Sequence, residues 1–311
     1  MVAYYLAKDT QTELAQIAQT IATPGLIGSR FPSINIENNE ENCRYYSQLL
    51  LKTQECQQHI SAIILCNEAL YHKTDDSDAL FPHLLTQIGI IPGITVDRGL
   101  IILAGTDRET TTQGLDNLDE RCRGYKKLGA QFAKWRALFK IGQNCPSQLA
   151  IDDNASKLAR YASICQQHGL VPIIESEVSS EDDHDLEECQ RITEKILATI
   201  YKSLNDYHIY LEGTLLKLNI VSPGKNCSKI YSTEQIAKAT VITLRRTVPT
   251  AVPGIIFLFN EHNEENSILY LNAINRIELY KPWTLSFCYE CALQKSVLSV
   301  WKGIQNNNEQ A

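Results

Sequence analysis

Seven apolar, β-rich runs recur along the chain with helical segments between them, and this alternation limits the fold more than any other feature. The runs are Ser61–Cys66, Gly89–Asp97, Ala133–Ile141, Leu170–Val178, Ile209–Val221, Val252–Phe259 and Trp283–Tyr289. Stretches around residues 115–129, 146–167, 183–203, 232–247 and 263–276 carry apolar residues at helical spacing. Strands apolar on both faces, each followed by a helix, require a parallel sheet covered on both sides. Their even repeat favours an α/β fold of the (β/α)8 TIM-barrel type over a doubly wound sheet. No Gly-x-Gly-x-x-Gly turn is present, which argues against a dinucleotide-binding fold.

One strand is missing from the barrel count, and the deficit falls near the N-terminus. A first helix near residues 10–22 leads into Pro24-Gly25-Leu26-Ile27-Gly28-Ser29-Arg30, and another helix starts at about Glu40. That spacing leaves room for a shortened first strand or none. Only the acidic loop Ser179–Asp185 and a polar tail at 302–311, expected to be disordered, interrupt the pattern. One domain over residues 1–311, with its N-terminal helix inside residues 1–23, is therefore expected.

A net charge of −7 with acids and bases mixed throughout leaves no basic stripe for nucleic acid or an anionic membrane. The opening apolar stretch is too short for a signal peptide, and no run approaches a membrane span. Ten cysteines scattered along the chain, several of them inside apolar runs, read as reduced, buried thiols, which implies a cytoplasmic protein. Cys288 and Cys291 form a lone C-x-x-C with no histidine pair to complete a site. It reads as structural, and neither metal nor cofactor is expected.

Charged residues inside barrel strands are informative, because burying an unpaired charge is costly. Lys134 with Arg136, and Glu175 with Glu177, stand two residues apart and so share a strand face; Asp97 follows Thr95 in the same way. Lys217 sits in the apolar run Leu215-Leu216-Lys217-Leu218. If these faces point inward, the group converges at the C-terminal mouth, where such barrels do chemistry. A buried lysine beside a second cation, as Lys217 near Lys134 would be, has a depressed pKa and can attack a carbonyl. Glu175 could then shuttle protons, with Glu177 as its charge partner. The bland alternative is an ion-pair network that merely closes the barrel.

At these residues the chain resembles the class I fructose-1,6-bisphosphate aldolases of animals and plants. The resemblance rests on GTDRETTTQGLDNLDERC at 105–122, FAKWRALFKIG at 132–142, LARYASICQQHGLVPIIESE at 158–177, DDHDLEECQ at 182–190, IYLEGTLLK at 209–217 and TLRRTVPTAVPGI at 243–255. It implies a barrel, usually a cytoplasmic homotetramer, that reversibly cleaves fructose 1,6-bisphosphate into dihydroxyacetone phosphate and glyceraldehyde 3-phosphate in glycolysis. It implies Lys217 as the imine-forming lysine and Glu175 as the proton shuttle. Glu177, Lys134 and Asp97 would be their catalytic neighbours, and Arg136 and Arg30 would bind substrate. The Schiff base forms with the substrate itself, so no cofactor is implied.

The departures from that pattern concern phosphate. The family carries a first strand and a cleavage aspartate between the Pro-Gly and the arginine matching Arg30, and that block is absent at Leu26. Thr95 stands where the family has a lysine, Ser29 where it has another basic residue, and Leu218 where it has a proline. Phe259-Asn260-Glu261 replaces a Ser-Gly-Gly phosphate loop and Glu290-Cys291 a Gly-Arg pair. A unit charge about 4 Å from a phosphate is worth roughly 4 kcal/mol at an effective dielectric near 20. Low activity on the bisphosphate is expected, the more so because family members continue past the position of Ala311 into a tail ending in a tyrosine. The alternative is a catalytically impaired paralogue acting as a binding or scaffold subunit, including as a partner of intact aldolase.

Overall fold

A computed structural model of the chain describes residues 6–23, 26–28, 40–51, 56–75, 78–258, 264–289, 300–302 and 307. Ser29, Arg30, Phe259-Asn260-Glu261, Glu290, Cys291 and most of the 302–311 tail lie outside the described residues.

Among the described residues, eight parallel strands close into a barrel. They are β1 (Leu26–Gly28), β2 (Ala62–Leu65), β3 (Ile91–Thr95), β4 (Phe132–Phe139), β5 (Val171–Val178), β6 (Leu215–Asn219), β7 (Gly254–Leu258) and β8 (Thr284–Tyr289). Each pairs with the next, and β1 closes the ring: Leu26 is in register with Cys288 on β8 and with Ala62 on β2. The first strand is thus shortened rather than missing. Three residues suffice because closure needs only that the two exposed edges each find backbone partners.

The strands are apolar on both faces because they separate two cores. Inside the barrel, Ile64, Phe132, Ile173, Leu215 and Ile256 form a buried floor. Helix α1 (Lys8–Ala22) lies across the N-terminal ends of the strands and adds Leu14, Ala18 and Ile21 to that floor. Their spacing of four and three residues sets them on one helical face. The fit is close: a Cβ on Gly254 would stand 2.4 Å from that of Ala22. Outside the barrel, a larger core lies between strands and helices, with Trp135, Tyr161, Ile174 and Ile196 fully or nearly buried.

The surrounding helices are α2 (Glu40–Leu51), α3 (Phe81–Gln87), α4 (Leu118–Lys127), α5 (Gln148–Gln167), α6 (Leu186–Asp206), α7 (Thr233–Thr247) and α8 (Glu264–Arg276). Three of them start where a side chain can accept orphan backbone N–H groups. Ser147 caps α5 and Asp185 caps α6, while Ser232 and Gln235 form a capping box on α7.

Periodicity alone misplaces two features. The run from Ile209 begins as a helical turn, Leu211–Gly213, and the strand starts only at Leu215. Gln166 of α5 donates to the carbonyls of Tyr210 and Gly213, so a side chain takes groups that a strand would have paired. Leu100–Ile102 and Thr110–Thr112 form an antiparallel hairpin after β3 that alternation of apolar runs does not reveal.

Candidate active site

Above the apolar floor, β3 to β6 turn polar toward their C-terminal ends. Parallel register sets Thr95 beside Lys134, Arg136 beside Glu175, and Glu175 beside Lys217. Residues two apart share a face. Phe132 and Ile173 therefore fill the floor while Lys134 and Glu175, two residues on in each strand, project into the layer above it.

The result is a string of alternating charge that runs from the segment just past β3 across β4, β5 and β6. Asp97 Oδ2 lies 3.6 Å from Lys134 Nζ, which lies 3.2 Å from Glu175 Oε2. Glu175 Oε1 in turn lies 3.3 Å from Lys217 Nζ. Lys134, Glu175 and Lys217 are all buried, Lys217 completely. Burial alone would push the Glu175 carboxyl up, but the charges of Lys134, Lys217 and Arg136 reverse the effect and bring it down to about 2. Glu175 is therefore a carboxylate at neutral pH.

Two expected relations change in this geometry. Glu175 stands between the two lysines instead of leaving their ammonium groups side by side, so the repulsion invoked to free the amine is offset. Glu177 does not serve Glu175. It accepts from Arg136 Nε at 2.6 Å, one pleat nearer the mouth. Arg30, the remaining expected site residue, lies outside the described residues.

Two cavities flank the string. One of about 390 Å³ includes Arg136, Glu177, Asn219 and Leu258 in its wall, and one of about 540 Å³ includes Thr95, Asp97, Arg98 and Arg121. Both lie within or near the size range of small-molecule sites. Among the described residues, no three or more His, Cys, Asp or Glu side chains gather as a metal would require.

Sequence reasoning passed over the threonines of the TTT run. Thr112 donates to the carbonyl of Arg136 at 2.6 Å and Thr110 to that of Leu138 at 3.1 Å. The available signal is the Thr-Thr-Thr run itself, β-favouring residues whose alternate hydroxyls share one face, between the site aspartate and the next helix.

Residues 13–311 match the family model described as fructose-bisphosphate aldolase class-I. The chain belongs to that family. It is similar to fructose-bisphosphate aldolase B of Homo sapiens, at 51% identity over 98% of this chain and 86% of that protein. It is similar to fructose-bisphosphate aldolase C of Mus musculus at 52% identity over 97% and 86% respectively. A solved fructose-bisphosphate aldolase from Plasmodium falciparum, in complex with TRAP and a small-molecule inhibitor, superposes with a TM-score of 0.94. That pair is 41% identical, covering 98% of this chain and 91% of the other. Class I aldolases are lyases that work through a Schiff base without metal.

Proposed function

We propose that the protein is a glycolytic, Schiff-base fructose-bisphosphate aldolase in which Lys217 forms the imine. The observation that carries this reading is the Lys217 amine, buried above an apolar floor with Glu175 3.3 Å away. The amine must lose a proton before it can attack, and Glu175 is an ionised acceptor within reach.

In this reading the neutral amine adds to the C2 carbonyl of fructose 1,6-bisphosphate. Glu175 returns the proton to the resulting hydroxyl, which leaves as water and gives the iminium. The C4 hydroxyl then gives its proton to the Glu175 carboxylate, the C3–C4 bond breaks to release glyceraldehyde 3-phosphate, and the iminium takes up the electron pair to leave an enamine. Protonation of that enamine and hydrolysis release dihydroxyacetone phosphate and restore the amine. Lys134, pinned between Asp97 and Glu175, stabilises negative charge in this layer, and Arg136 offers a guanidinium at the mouth. Glu177 acts through Arg136 by holding it in place.

The proposal includes low turnover of the bisphosphate. Thr95 supports it, since a hydroxyl occupies the position beside Lys134 where the family resemblance implies a further cation. A cytoplasmic homotetramer is part of the same reading and rests on the family resemblance alone. Neither the geometry nor the relatives favour the alternative of a binding or scaffold subunit.

Borohydride reduction with dihydroxyacetone phosphate, followed by mass analysis of the Lys217 peptide, tests the central claim. An adduct on Lys217 is expected, and its absence would remove the enzyme reading. A cleavage assay at saturating fructose 1,6-bisphosphate tests turnover, and a rate equal to that of human aldolase B would overturn the low-activity part alone.

A further inference from the structure

β4 outruns its neighbour. Its pairing with β3 ends at Thr95 and Lys134, with one further bond from the Val96 N–H to the Lys134 carbonyl, whereas its pairing with β5 continues to Phe139. Above Lys134, no strand among the described residues is paired in register with the β3-facing edge of β4. Bare backbone groups on such an edge need other partners. This is the stretch that carries Arg136.

Side chains supply those partners. Asp97 Oδ2 accepts the Arg136 N–H at 3.3 Å, Thr112 donates to the Arg136 carbonyl at 2.6 Å, and Thr110 donates to the Leu138 carbonyl at 3.1 Å. The two threonines alternate with Thr111, which faces the other way toward Asp153 and Lys157 of α5. Asn154 of α5 ties down the Thr110 carbonyl at 2.9 Å, and Ser147 N–H donates to Glu109 at 2.8 Å. One strand of the hairpin is thus bolted to α5 on one face and braces β4 with the other. Thr112 is buried, so its hydroxyl cannot exchange this carbonyl for water.

We propose that Thr112 is a positioning residue: through the Arg136 carbonyl, and together with Asp97 on the Arg136 N–H, it holds the Arg136–Glu177 pair at the mouth of the barrel. The three-threonine run is then a β-strand whose alternate hydroxyls replace a missing ladder. This rests on the aldolase reading for its effect on substrate, but not for the brace itself.

Thr112→Val keeps shape and removes the donor, while Thr112→Ser keeps the donor. In Thr112→Val, KM for fructose 1,6-bisphosphate should rise roughly threefold to tenfold, the worth of one neutral hydrogen bond, with kcat little changed. Thr112→Ser should restore the parent value. Hydrogen exchange of the peptide spanning residues 132–140 should quicken in Thr112→Val and not in Thr112→Ser. Thr110→Val gives a milder lesion on the same edge and should shift both readouts the same way, which keeps the test open if Thr112→Val does not fold. Parent-like KM and exchange in both valine variants would overturn the proposal, as would a serine variant that behaves like valine. If the parent chain forms no imine, the aldolase reading falls while the exchange comparison still decides the brace.

Discussion

Glu175 is a single carboxylate shared by the side chains of two buried lysines, Lys134 and Lys217. Its carboxyl falls below the ordinary 4.5 to about 2 in the folded chain. The unfolded chain therefore binds the proton more tightly, so the stabilisation is complete above the ordinary range and is lost as pH falls toward the folded value. Melting temperatures of the parent should drop between about pH 5 and 2, and Glu175→Gln should flatten that segment. At neutral pH the same substitution strands Lys134 and Lys217 without their common counter-charge, at a cost of about 3 kcal/mol or more in urea unfolding. An unchanged midpoint would contradict the shared-carboxylate geometry. The identities of these residues were legible in the sequence, since charges two apart in apolar strands demand an explanation. Their partners were not, because register and strand order decide that Glu177 meets Arg136 and that Glu175 meets both lysines.

At the scale of elements, the long strands and amphipathic helices announce themselves by period, while elements held by side chains do not. The hairpin of Leu100–Ile102 and Thr110–Thr112 exposes Ile101 and Ile102 and owes its place to threonine hydroxyls, so no apolar run marks it. Helix α1 is legible as a helix, but its role as the barrel floor depends on the absence of side chains opposite. Gly254→Ala would bring a methyl 2.4 Å from the Ala22 Cβ and 3.2 Å from Leu215. The helix must then shift, and a loss of about 1 to 3 kcal/mol is expected from denaturation midpoints. Ala22→Gly should recover part of it in the double variant, giving a coupling energy between the two positions. Independent, additive effects would show that α1 does not seat there.

For the whole molecule, closure depends on three residues of β1. Ile27 pairs with Ile63 on one side and Tyr289 on the other. Ile27→Pro removes a ladder donor, and proline inside a sheet is tolerated only at edges. Exchange of the amides in β2 and β8 should accelerate while those of β5, on the far side of the ring, stay protected. Equal protection in all three strands would mean that β1 contributes nothing to closure. The barrel is otherwise continuous from β2 to β8, so an opened seam would leave the Asp97 to Lys217 string in place.

The sequence by itself determined the fold class, the family and the charged strand residues that the barrel brings together, because hydrophobic period and residue type are local properties of the chain. Tertiary structure decided which charges meet, which carbonyls the threonines satisfy and whether a three-residue strand completes the ring. Those outcomes depend on register between segments far apart in the chain, where the energy of a contact exists only once both partners are held in place.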